Sequence, residues 1–217
     1  MLILLPPSEG KLQPISGKTL KLNQLTFHQS LGQIRTTLLS QKIDQSKSRP
    51  AHEIYTGVLF QALNWGTLSA AAQKRGEKSI LVISAVFGAL RMHDNVPSYK
   101  AKIKTSVWKK ALTATLEDLE ADLIVDCRSS TYAGVWTPDA SKTVNVRVFQ
   151  IKEGERSVIT HMSKKYRGEL TRYLLQAGVS PKTPAEVMKI AAKYFDCELT
   201  KPDGKNPYYL DLLIEAG

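Results

Sequence analysis

The sequence is short of the residues that most often staple or metallate a fold. Two cysteines, Cys127 and Cys197, stand among 217 residues. They form no CxxC pair and no disulfide framework, and both lie beside apolar segments. The histidines, His28, His52, His93 and His161, are dispersed without metal-ligand spacing, and no HExxH or GxSxG occurs. No metal site and no cofactor is therefore expected. No apolar run approaches the roughly 20 residues that a bilayer crossing needs. The amino terminus has neither the charged start nor the long apolar core of a secretory leader, so the expectation is a cytoplasmic protein without membrane contact. Internal repeats, low-complexity tracts and Gly/Ser-rich or Pro-rich linkers are missing too, which leaves one domain over residues 1–217.

Acid is scarce as well. Twenty Asp and Glu face thirty Lys and Arg, a formal net charge of +10, which points to a polyanionic partner. The excess is clustered. Lys100, Lys102, Lys104, Lys109 and Lys110 have no nearby acid in the chain, and Lys164, Lys165, Arg167 and Arg172 form a second group. In the segment Tyr99 to Lys104 the lysines alternate with smaller or apolar residues, so a strand there would carry them on one face. Such a face either contacts phosphate or keeps an edge strand soluble.

What is present is an alternation of strand and helix patterns. Met1 to Leu5 is a buried first strand broken by Pro6-Pro7. Helical spacing runs from about Leu25 to Ile43, and further helices are predicted over Ala51 to Asn64 and Leu68 to Arg75, the latter ended by Gly76. Strands are predicted at Ser79 to Ala85, Tyr99 to Lys104, Asp122 to Cys127 and Tyr208 to Ile214. A helix over Val107 to Glu120 is expected to be capped by Thr105 or Ser106. Val144 to Ile151 and Ser157 to His161 flank Lys152-Glu153-Gly154-Glu155 as a hairpin. Ser163 to Ala177 reads as a helix closed by Gly178, and Thr183-Pro184-Ala185-Glu186 as a capping box opening a helix to about Tyr194. The fold class is α/β: a compact domain with a central mixed sheet, parallel and antiparallel, surrounded by helices.

Candidate site residues gather where buried strands end, the place at which open α/β sheets hold their ligands. Ser84, Gly88 and Arg91 follow the run Ile80-Leu81-Val82-Ile83; the alternative is that Gly88 permits a tight turn and Arg91 pairs with Asp94. Ser8-Glu9-Gly10-Lys11 follows the first strand without the spacing of a P-loop; it is either a glycine that admits an anion to the backbone with a lysine to attract it, or a solvated loop. Ser129 and Tyr132 follow Asp122 to Cys127; Ser129 is either a ligand hydroxyl or the cap of a short helix. In the helix from Ser163, Tyr166, Leu170, Tyr173, Leu174 and Ala177 share one face, with Lys164, Lys165, Gly168 and Arg172 opposite and Arg167 at the border. Cys127 beside Arg128 is either an activated thiol or a buried structural one. Glu9, Glu53 and Asp126 are candidate bases.

The order of Met1-Leu2-Ile3-Leu4-Leu5-Pro6-Pro7-Ser8-Glu9-Gly10-Lys11, Tyr55-Thr56-Gly57, Ser84 with Phe87-Gly88, Leu90-Arg91, Asp94 and Tyr99, Ser129 with Tyr132, and Lys164-Lys165-Tyr166-Arg167-Gly168 resembles the YaaA family of bacterial peroxide-stress proteins. The resemblance implies a compact α/β domain of unusual fold with a basic cleft. It also implies DNA binding, and a role in limiting oxidative DNA damage when peroxide meets intracellular iron. Carried onto this chain, it places Lys11, Tyr55, Ser84, Gly88, Arg91, Ser129, Tyr132, Lys164, Lys165, Arg167 and Gly168 in the cleft. The chain departs from the family between Thr26 and His52, where longer members carry a helix-hairpin-helix-like element, and at Ser8-Glu9-Gly10, where others have a shorter loop. Two function classes stay open: a monomeric DNA-binding stress protein that takes duplex with weak sequence preference, and an enzyme that binds a nucleotide-like anion or another phosphorylated small molecule in the same cleft.

Overall fold

The computed structural model of the protein describes residues 1–39, 41–159 and 162–215. Along the chain the first half runs β1 (Leu2–Leu5), α1 (His28–Leu38), β2 (Arg49–Pro50), α2 (Ala51–Ile54), α3 (Val58–Leu63), α4 (Ala70–Ser79), β3 (Ile80–Ser84), β4 (Gly88–Leu90), β5 (Asn95–Val96) and α5 (Thr105–Leu116). The second half continues with β6 (Ile124–Asp126), α6 (Ser130–Ala133), β7 (Thr143–Lys152), β8 (Glu155–Val158), α7 (Ser163–Gln176), α8 (Pro184–Ala191), β9 (Asp196–Thr200) and β10 (Tyr208–Glu215).

Eight strands form one sheet in the order β4-β3-β1-β6-β7-β10-β9, with β8 added alongside β7; β2 and β5 pair separately. From β3 to β10 every neighbour is parallel, while β4, β8 and β9 pair antiparallel. The expected mixed α/β sheet is therefore the observed one. Short apolar strands such as β1, buried at all four positions, have to be covered on both faces. Ile3, Leu5, Val82 and Val125 meet Leu59, Leu63, Leu170 and Leu174 on one side. Leu2, Leu4, Leu81 and Ile83 meet Leu31, Trp108, Leu112 and Leu116 on the other.

The β7–β8 hairpin turns at Glu153 and Gly154, both at positive φ (53° and 82°), the geometry whose twist matches that of paired strands. His161, placed by the sequence at the end of the second hairpin strand, lies outside the described residues. Thr183 accepts a hydrogen bond from Glu186 N (3.3 Å), and Glu186 accepts one from Lys182 N (2.6 Å), so the predicted cap of α8 is present one residue off the usual reciprocal pattern.

Several expectations are corrected. Tyr99 to Lys104 is not a strand but an irregular segment, with no ladder partner among the described residues. Its lysines alternate, yet Tyr99 is drawn inward by hydrogen bonds described below. The helix expected over Ala51 to Asn64 breaks at Tyr55-Thr56-Gly57 into α2 and α3, because Thr56 N donates to Gly10 O (3.1 Å) and Gly57 N to Ser8 Oγ (2.7 Å). Gly76 does not end its helix. It sits inside α4, where a Cβ would come within 2.5 Å of the Trp65 ring. The first long helix covers only His28–Leu38, and α5 is preceded by Lys104 in the cap position, with Thr105 already helical. β9 was not anticipated; its alternating, mostly polar residues lie at the sheet edge against β10.

Candidate functional site

The parallel register places the ends of β3, β1 and β6 side by side: Leu5 lies opposite Val82, and Leu4 opposite Asp126. The loop after β1 is fixed by its own polar groups. Ser8 Oγ accepts from Gly57 N and donates to Gly10 O (2.5 Å), and Lys11 forms an isolated antiparallel bridge with Tyr55. A Cβ on Gly57 would fall 2.3 Å from Ser8 Oγ, so the glycine is what lets α3 begin against this loop.

Onto that frame the side chains converge. The Tyr99 hydroxyl lies 2.7 Å from Ser84 Oγ and 3.0 Å from the Tyr55 hydroxyl, a buried chain of three neutral groups. Ser84 Oγ is held in turn by the amides of Val86 (3.3 Å) and Phe87 (3.0 Å). Lys11 Nζ donates to Ser8 O (2.5 Å) and stands 4.3 Å from the centre of the Tyr99 ring and 5.8 Å from that of Tyr55.

Burial sets the protonation states. It pushes the Tyr99 phenol up to about 12 and the Tyr55 phenol well above its ordinary value, so both stay protonated hydrogen-bonding groups at neutral pH. Burial also lowers the Lys11 ammonium to about 8, against the attraction of Glu9. Tyr132, half-buried, is raised first by burial and then by the charge of Glu9. A desolvated amine beside phenols that can donate protons is an arrangement able to hold an anion, or to move a proton at a bound carbonyl or phosphate.

With this geometry in place, comparison with known proteins is decisive. The family described as "Peroxide stress protein YaaA" matches residues 1–199. The chain belongs to the YaaA family. A UPF0246 protein of Streptomyces coelicolor is 32% identical over 99% of this chain and 98% of its own length. One from Corynebacterium glutamicum is 30% identical over 88% of this chain and 91% of its own. An uncharacterised protein of Campylobacter jejuni is 31% identical, covering 59% and 54% respectively.

In this YaaA protein the residues predicted from sequence fall into separate groups. Lys11, Tyr55 and Ser84 are brought together through Tyr99, with Tyr132 in electrostatic contact with Tyr55. Ser129 occupies the cap position of α6, but its side chain makes no capping hydrogen bond. Arg91 is not brought to this group. It lies beyond β4, near the opposite end of β3, where its guanidinium donates to Lys78 O (2.7 Å) and Ile80 O (3.1 Å) and its backbone N–H to Asp94 Oδ2 (2.8 Å). Gly88, at φ +65°, packs beneath Trp108, whose ring a Cβ would approach to 2.6 Å. Trp108 itself donates to Ala85 O (2.9 Å), so Gly88 forms the tight turn.

The face of α7 also differs from expectation. Gly168 is buried against α3, where a Cβ would meet Leu59 O at 2.2 Å. Arg172 turns to donate to Leu63 O and Asn64 O at the end of α3 (3.0 and 2.9 Å). Lys164 is exposed, and Lys165 faces Glu169 (3.7 Å). Arg167 donates to Val146 O (3.1 Å) while its buried Nε has no hydrogen-bond partner among the described residues.

Cys127 is buried, with its thiol pushed up to about 12 by that burial, and is inert packing rather than a nucleophile. Asp126 is engaged by Arg128 through Nε (2.9 Å) and Nη2 (2.6 Å), so it is a structural partner and not a free base. Among the described residues no group of His, Cys, Asp and Glu is arranged to hold a metal ion. Tyr99 was not among the residues expected in the cleft, since its role depends on a contact with Ser84 fifteen residues away in sequence.

Proposed function

We propose that this YaaA-family protein acts as a monomer in the cytoplasm, binds duplex DNA through lysines bordering the cleft, and so limits oxidative DNA damage. The observation that carries this reading is the segment following Tyr99. Lys100, Lys102, Lys104, Lys109 and Lys110 are all exposed, and none makes an ion pair among the described residues. Exposed lysines on this segment and the adjoining helix contact phosphates without reading bases, which gives salt-sensitive and weakly sequence-selective affinity. The family supplies the peroxide-stress setting. The test is titration of a labelled duplex at several salt concentrations with nucleotides as competitors: steep salt dependence without competition supports the reading, and no binding at physiological salt overturns it.

A second reading has its own support, namely an enzyme that takes a nucleotide or phosphorylated small molecule at Lys11. A surface that only holds a phosphate backbone has no use for a desolvated amine 4.3 Å from the Tyr99 ring and a Ser84–Tyr99–Tyr55 hydroxyl chain. Competition by one nucleotide in the same titration, lost in Lys11→Met, favours it.

A further inference from the structure

A concavity that Lys11 does not line lies between the segment Lys18 to Leu25 and the turn His93 to Asn95, with a volume of about 600 Å³. That is within the range of small-molecule sites, and well above what a lone phosphate fills. Both walls are tied down. Lys18 N donates to Ser48 O (2.9 Å) and Ser48 N to Lys18 O (2.7 Å), while Leu20 N donates to Gln45 O (2.7 Å). On the other side Ala51 N donates to Asp94 O (2.9 Å) and Asp94 N to Arg91 O (3.2 Å).

The charge around this cavity is unbalanced. Its one lining carboxylate, Asp94, is consumed from behind: Oδ1 accepts from Thr26 N (2.9 Å) and Thr26 Oγ1 (3.1 Å), and Oδ2 accepts from Arg91 N (2.8 Å). Asp94 also lies in the field of two guanidiniums, Arg35 and Arg91. Arg35 is wholly buried, donates to Phe87 O, Thr26 O and Ala89 O, and keeps Nη1 without a hydrogen-bond partner among the described residues. The outward cations, Lys18 and Lys21, are exposed and make no ion pair among the described residues. Thr19, Gln24 and Asn95 add polar groups to the lining.

We infer that this cavity is a separate binding site for a phosphorylated small molecule of nucleotide size, with Lys18 and Lys21 holding the phosphates. The concave shape fits a free nucleotide better than a duplex, whose phosphates spread over a surface wider than the cavity. The inference does not depend on the function proposed above, because none of these residues belongs to the Lys11 group or to the lysines after Tyr99.

Isothermal titration with ADP and with inorganic pyrophosphate tests it on the wild type and on the double variant K18E/K21E. The expected result is that both probes bind the wild type, ADP the tighter because its nucleoside occupies the remaining volume. The double variant should bind at least about tenfold more weakly. Absence of binding to the wild type or unchanged binding by the double variant overturns the inference. So does a duplex titration in which K18E/K21E loses DNA affinity while ADP fails to compete, since the lysines would then belong to a nucleic-acid surface.

Discussion

Lys11 Nζ lies 4.3 Å from the centre of the Tyr99 ring, so the Lys11 amine rests on the same residue that links Ser84 to Tyr55. The ring face and Glu9 both favour the ammonium form, yet burial outweighs them and the group titrates near 8. Its pKa in the folded state is therefore below the unfolded value of 10.5. Between those values the unfolded chain binds more protons than the folded one, so this group makes stability rise with pH across the window. Urea midpoints measured at about pH 7.5 and about pH 9.5 should move upward more in the wild type than in Lys11→Met. An equal change in both proteins would place Lys11 in water.

Cys127 and Cys197 should differ in reactivity. Cys127 is buried with its thiol near 12, whereas Cys197 is only partly buried. Because the thiolate is the reactive form and needs access, iodoacetamide or dilute peroxide should modify Cys197 first and leave Cys127 intact in the native protein. Peptide mass mapping after a short exposure checks this, and early labelling of Cys127 would return it to the candidate nucleophiles.

The Asp126–Arg128 pair anchors the loop that follows β6. Arg128 contacts both carboxylate oxygens and also donates to Tyr132 O (3.2 Å) and Trp136 O (2.9 Å). Asp126→Ala leaves a buried guanidinium without its counter-charge and should cost about 3–5 kcal/mol in chemical denaturation. The same change should loosen the Tyr132 loop, read as faster amide hydrogen exchange over residues 128–136.

Gly168 is required by helix packing. Its Cβ position lies 2.2 Å from the Leu59 carbonyl oxygen and 2.9 Å from Ala62 Cβ, and backbone cannot move aside as a side-chain tip can. Gly168→Ala should therefore destabilise the fold by about 1–3 kcal/mol, the usual cost of overpacking. A variant as stable as the wild type would show that α3 and α7 tolerate a wider separation.

Strands such as Leu2–Leu5 and Ile80–Ser84 were legible because a parallel strand covered on both faces is apolar at nearly every position. The Glu153-Gly154 turn and the α8 cap were legible because their chemistry is local. The lysine segment misled for the opposite reason. Alternation is a property of the segment alone, but a strand needs a neighbour, and Tyr99 is bonded instead to Ser84 and Tyr55. Arg91 misled likewise. After Ser84 the chain reverses through Gly88 into β4, antiparallel to β3, which carries the arginine back to the far end of the sheet.

The sequence by itself determined the α/β class, the family, the basic excess and the loops that follow β1, β3 and β6, since each is written in short stretches of residue type and order. Only the tertiary structure decided which of the side chains on those loops meet. Parallel register sets the ends of β3, β1 and β6 side by side, the reversal at Gly88 removes Arg91, and the contact of α7 with α3 turns Gly168 inward. Those outcomes depend on distances between residues far apart in the chain, which no local pattern encodes.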